Sequence, residues 1–136
     1  MVYESFSVEE TAEIATSLAR QAKKGDIFCL IGDLGAGKTH FTKGFAKGLG
    51  VEDDITSPTF TIVHEHSSGK LRLYHFDVYR ISSSDEMFDI GCDEMFFGDG
   101  VCVIEWADRI KDIIPGNAVY VSIEHGDSEN HRIIRI

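Results

Sequence analysis

An α/β domain with a mixed, mostly parallel central sheet, helices flanking it and antiparallel hairpins is the fold class this sequence predicts. Three observations carry it. A nearly continuous apolar run, DIFCLI (26–31), enters the glycine-rich loop GDLGAGKT and passes straight into a helical repeat. A second short apolar run, VCVIE (101–105), also reads as a strand covered on both faces, the habit of parallel sheets. Two pairs of strand-like segments are joined by short polar turns, the mark of hairpins. At 136 residues the chain is expected to form one domain over 1–136, with a single core and no room for a second.

The elements follow in order. Ser7 with Glu10 three residues later is a capping-box pair, and Ala12, Ala15, Leu18, Ala19 and Ala22 recur at helical spacing, so a helix is expected from about Val8 to Lys24, closed by Gly25. The strand 26–31 comes next, then the glycine loop. Phe41, Phe45 and Leu49 share one stripe of a second helix, which Gly50 ends. FTIVHEH (60–66) and LRLYHFD (71–77) flank a Ser-Ser-Gly-Lys turn and should pair antiparallel. SSSDEMFDIG reads as a short capped helix, 101–105 as a buried strand, and AVYVSIE (118–124) with HRIIRI (131–136) as a closing hairpin around HGDSEN.

Composition narrows the class. With 43% hydrophobic and 26% charged residues the chain reads as an ordinary soluble protein. It carries no apolar run long enough for a membrane span and no signal-like start, so a cytoplasmic protein without membrane contact is expected. Cys29, Cys92 and Cys102 share no metal or disulfide spacing and read as buried, reduced thiols. The net charge of −10 opposes direct binding to a polyphosphate backbone.

The loop carries the chemistry. Gly32, Gly37, Lys38 and Thr39 fit G-x-x-x-x-G-K-[ST], a P-loop whose backbone N–H groups and helix N-terminus converge on phosphate oxygens. Gly32, Gly35 and Gly37 would let the backbone approach the phosphates, Lys38 would meet the β- and γ-phosphates, and Thr39 would offer its hydroxyl to Mg²⁺. Chance alone supplies the pattern in on the order of one chain of this length in two hundred, and the strand before and helix after make it rarer still. The expected ligand is a nucleoside triphosphate, ATP or its product ADP, held by Gly32, Asp33, Leu34, Gly35, Ala36, Gly37, Lys38, Thr39 and His40. Lys38 is expected to be exposed in the empty loop.

Magnesium prefers oxygen ligands and takes few from protein, so a carboxylate should lie nearby. Asp77 and Glu105 both end strand-like segments, where ligands bind in open α/β sheets, and the residues by themselves favour neither. TSPTF (56–60) is a stiff elbow, because Pro58 holds Ser57 extended, and its hydroxyls suit a switch that senses the γ-phosphate as well as a plain polar turn. His64 and His66 share a strand face but lack a well-spaced third metal ligand, and read as solvated histidines.

GDLGAGKTHFTKGFAKGLG, SPTFTIVHEH, LYHFDVYRI and VIEWADRI, in that order, resemble the TsaE (YjeE) family, small bacterial ATPases of tRNA threonylcarbamoyladenosine synthesis. The resemblance spans roughly residues 7 to 110. It implies an ATP-binding, slowly hydrolysing protein that acts with TsaB and TsaD on the adenosine beside the anticodon, reaching tRNA only through that complex. It further implies that Thr39 and Glu105 bind Mg²⁺, that Asp77 is the Walker-B-like acid near the metal, and that Thr59 is the switch threonine. Lys38, Asp77, Glu105 and Thr59 would then form the catalytic set. Ser7, Glu9, Glu10 and Thr11 match the family's S-x-E-E-T, with Thr11 near the base and Arg132 closing the other side of that pocket. The chain ends soon after Arg132, so family features lying further along are expected to be missing.

A small-molecule or nucleotide kinase of the P-loop class is the competing reading. It needs an arginine-rich lid over the transferred phosphate, whereas the six arginines here are scattered and no lid-length insertion is present. A GTPase would carry N-K-x-D, which is absent. A module that binds ATP without turning it over would differ only in kinetics.

Overall fold

The computed structural model describes every residue from Met1 to Ile136 except Thr59, so the switch assignment of Thr59 lies outside the described residues. Seven strands form one mixed sheet: β1 (Val2–Ser5), β2 (Ile27–Ile31), β3 (Val63–His66), β4 (Leu73–Asp77), β5 (Val101–Glu105), β6 (Val119–His125) and β7 (Arg132–Arg135). Their order is β1-β7-β6-β2-β5-β4-β3. The central four, β6, β2, β5 and β4, run parallel, and β3, β7 and β1 add antiparallel at the two margins.

Alternation along the strands sorts side chains between two apolar layers. Phe28 and Leu30 of β2 and Val101 and Val103 of β5 face α1 (Val8–Arg20) and α2 (Lys38–Gly48), where Ala15, Ala19, Phe41 and Phe45 are fully buried. Ile27, Cys29, Cys102 and Ile104 face the opposite layer, with Met87, Phe96 and Ile110. This is why the two runs are apolar throughout. Each buried phenylalanine adds about 1.5–3 kcal/mol of apolar transfer, so α2 is anchored firmly behind the glycine loop.

Helix α1 also fixes α2. A Cβ on Gly44 would lie 2.4 Å from the Ala12 carbonyl oxygen, and Thr16 Oγ1 donates to the Gly44 carbonyl at 2.9 Å. The two backbones therefore touch, which only glycine permits.

Several boundaries differ from the sequence expectation. Helix α1 stops at Arg20 rather than Lys24, and Gly25 instead serves the turn into β2, its N–H donating to Gly100 at 2.9 Å. Ser7 Oγ accepts from the Glu10 N–H as expected, but the Glu10 carboxylate accepts from the Phe6 N–H, one residue earlier than the capping box requires. Strand β3 begins at Val63 rather than Phe60, because Ile62 takes a left-handed φ of 70°. Helix α3 (Asp85–Asp89) has no serine side-chain cap; Glu86 accepts from the backbone N–H groups of Ser82 and Ser83 instead. Strand β1, helix α4 (Cys92–Phe96) and a 3-10 segment (Ala107–Ile113) were not expected.

Candidate nucleotide-binding site

The site lies at the C-terminal ends of β2, β4 and β5, in a cleft of about 470 Å³. Strand β2 delivers the glycine loop and α2 leaves it. Gly37 occupies the left-handed region with φ of 110°, so a side chain there would be strained in any case. Gly32 is required for another reason than the sequence suggested: a Cβ there would sit 2.4 Å from the Ile123 carbonyl oxygen of β6.

Lys38 is not exposed. It is buried to 5% accessibility, with Nζ donating to the Gly32 and Asp33 carbonyls at 2.6 and 2.8 Å and lying 3.9 Å from the centroid of the Trp106 ring. Burial pushes its pKa below the ordinary lysine value, and the carboxylates of Glu105, Asp77, Asp33 and Asp108 pull the other way. The cation therefore sits folded back onto its own loop.

Strand parity brings the acids to the same place. Asp77 ends β4, Glu105 ends β5, and the two are register partners. Glu105 has the parity of Val101 and Val103, so its carboxylate turns toward α2: Thr39 Oγ1 donates to Oε1 at 3.1 Å and Thr42 Oγ1 approaches Oε2 at 3.4 Å. His75 Nε2 reaches Oε2 at 2.5 Å. Asp77 accepts from Ser57 Oγ at 2.8 Å and from the Tyr79 N–H at 3.0 Å, so the elbow residue Ser57 is tied to the strand-end acid.

The remaining expected residues divide. Asp33 contributes its carbonyl to Lys38, Leu34 projects outward at 76% accessibility, and Gly35 and His40 line the main cleft. Gly35, Ala36 and His40 also line a smaller hollow of about 130 Å³ on the other side of the loop, together with Thr11 and Arg132. Thr11 and Arg132 thus meet at one hollow although 120 residues separate them. Arg132 Nε donates to the Ala36 carbonyl at 2.9 Å, while the buried Thr11 hydroxyl pairs with Ser5 Oγ at 2.7 Å.

His66 is not solvated: it is buried and its Nδ1 lies 2.8 Å from Asp53. The three cysteines are buried and free. Among the described residues no cluster of three or more His, Cys, Asp or Glu groups is placed to hold a metal. That donor set suits Mg²⁺, which takes one or two protein oxygens and completes its shell with phosphate and water, and it would not hold a transition metal.

His75, Tyr79, Arg80 and Trp106 also line or support the cleft, with no role assigned to them from sequence. Their signal was adjacency, since each lies within three residues of Asp77 or Glu105. Trp106 adopts a left-handed φ of 64° directly after Glu105, which lays its ring over Lys38 and 4.7 Å from the Tyr79 ring.

Residues 5–134 match the model of the family called TsaE, threonylcarbamoyl adenosine biosynthesis protein. The chain belongs to the TsaE family. A TsaE from Bacillus subtilis is 52% identical over 122 residues, covering 89% of this chain and 76% of that protein. A TsaE from Treponema pallidum is 46% identical over 119 residues, covering 88% and 87%. Each of these relatives is named a tRNA threonylcarbamoyladenosine biosynthesis protein. The crystal structure of Bacillus subtilis YdiB superposes with a TM-score of 0.83 at 44% identity, covering 98% of this chain and 82% of that one. The TsaE assignment places the chain in tRNA threonylcarbamoyladenosine biosynthesis, a role that fits a complex with other Tsa proteins, and the P-loop fold implies nucleotide binding. Among the described residues no helix is long and apolar enough to cross a membrane.

Proposed function

We propose that this chain is a Mg²⁺-dependent ATPase of slow intrinsic turnover, acting as a nucleotide-controlled switch on a TsaB–TsaD complex that modifies the adenosine beside the tRNA anticodon. The observation that carries the reading is the convergence of the P-loop Thr39 hydroxyl with Glu105, 3.1 Å apart, at the mouth of a cleft that also holds Lys38 and Asp77. In this reading residues 1–136 work as one ATPase domain in the cytoplasm.

The loop from Gly32 to His40 cradles the phosphates, and Lys38 leaves the Gly32 and Asp33 carbonyls to meet the β- and γ-phosphates. Thr39 and Glu105 supply the protein oxygens for Mg²⁺, with Asp77 beside them; the ion neutralises charge on the β- and γ-phosphate oxygens. Asp77 orients the attacking water and, through Ser57, reports the state of the site to the elbow that contains Thr59. Thr11 and Arg132 flank the hollow on the far side of the loop, a place for the adenine base. A chain of net charge −10 contributes the switch, and its partners hold the tRNA.

Phosphate release from ATP, measured for the chain alone and with TsaB and TsaD added, tests this. Slow release that rises at least severalfold with the partners supports the switch. Release that depends on a small acceptor instead would replace it with a kinase.

A further inference from the structure

We propose that His75 is a positioning residue that pins Oε2 of Glu105, so that the carboxylate presents Oε1 alone to Thr39 and the cleft. The inference rests on the proposed role of Glu105 as a magnesium ligand and adds the device that aims it.

His75 lies two residues before Asp77 on β4, and because β4 and β5 are in register its ring has the parity that faces α2, as Glu105 does. The ring is fully buried, and Nε2 stands 2.5 Å from Oε2. A carboxylate oxygen only accepts, so Nε2 carries the hydrogen. Nδ1 is buried with no hydrogen-bond partner among the described residues. An imidazole with one nitrogen unpartnered is a costly filler for a closed core, where leucine or phenylalanine would pack without that penalty. The ring's polar contribution goes to Glu105 alone.

The consequence is a division of labour between the two carboxylate oxygens. Oε2 takes His75 from the sheet side and, more weakly, Thr42 from α2; Oε1 takes the Thr39 hydroxyl. A glutamate has three side-chain torsions to immobilise, and one fixed oxygen removes most of that freedom before any ligand arrives. Partners that orient a metal-binding group in this way are commonly worth 10–100-fold in metal affinity.

Calorimetric titration of a non-hydrolysable ATP analogue into the full chain, with Mg²⁺ and with EDTA, tests the inference. His75→Leu removes the donor and should weaken binding in Mg²⁺ by about tenfold or more, with affinity in EDTA held near that of the wild type. His75→Gln keeps an N–H at similar reach and should recover most of the loss. Equal losses in Leu and Gln, or a loss in EDTA as large as in Mg²⁺, would show that the ring merely fills space and would overturn the inference. Should His75→Leu not fold, His75→Asn takes its place: its shorter amide stops short of Oε2, so the same Mg²⁺-selective loss is expected, and wild-type behaviour overturns the proposal. A wild-type chain that binds the analogue equally with and without Mg²⁺ would take down the metal reading of Glu105 and this inference together.

Discussion

Asp77 and Glu105 are the last residues of two adjacent parallel strands and stand opposite each other in register. They are nonetheless held by different groups: Asp77 by the elbow through Ser57 and by its own turn through the Tyr79 N–H, Glu105 by Thr39, Thr42 and His75. One acid is wired to a loop and the other to the P-loop helix, so the two should fail differently when altered.

Glu105→Gln should weaken Mg²⁺-dependent ATP binding by about tenfold or more, because a neutral amide is a poor ligand for a hard dication. Asp77→Asn should leave that affinity largely intact and lower turnover. Titrations with and without Mg²⁺, beside phosphate-release rates, separate them; a loss of Mg²⁺-dependent binding in Asp77→Asn alone reverses the assignment.

Lys38→Ala should abolish measurable ATP binding while changing stability by no more than about 1 kcal/mol, since the two carbonyl hydrogen bonds lost are offset by no longer burying a cation. Calorimetry and thermal melting read the two effects. Wild-type affinity in this variant removes the P-loop assignment.

The elbow should respond to the γ-phosphate. Hydrogen exchange across residues 52–62 is expected to be slower with an ATP analogue than with ADP, and Thr59→Ala should impair hydrolysis-coupled tRNA modification more than ATP affinity. Equal protection in both nucleotide states rules out the switch. The isolated chain should not shift tRNA at physiological salt unless TsaB and TsaD are present.

Gly44→Ala should destabilise the protein by about 1–3 kcal/mol, although alanine is the better helix former by roughly 1 kcal/mol. The added Cβ would meet the Ala12 backbone at 2.4 Å, and backbone cannot step aside as a side chain can. A rise in melting temperature would show that α1 and α2 separate easily.

Burial pushes the thiols of Cys29 and Cys102 up to about 12, from an ordinary value of 9.0. The unfolded chain therefore loses these protons first, and folded stability, complete below about pH 9, falls as pH rises toward 12. Cys29→Ala should flatten that alkaline decline in denaturant titrations. Neither thiol should react with an aromatic disulfide reagent at pH 8 until the protein is unfolded.

What the sequence by itself determined was local in nature. Strand 27–31, the loop from Gly32 to Thr39, the stripe of Phe41, Phe45 and Leu49, strand 101–105 and the two hairpins are all legible because each is specified by spacing within about a dozen residues. The strand-end positions of Asp77 and Glu105 were legible for the same reason. Tertiary structure alone decided what those residues touch. Strand β1 forms only because β7, some 130 residues away, offers it an edge, and the same closure carries Arg132 to the Ala36 carbonyl. His66 is buried because Asp53 meets it, and Lys38 because Trp106 folds over it. Whether His75 serves Glu105 depends on the register between β4 and β5, and a slip of one residue would turn every side chain of the strand to the other face. Burial and pairing are properties of distant partners brought together, and neither can be read from a residue's own neighbours in the chain.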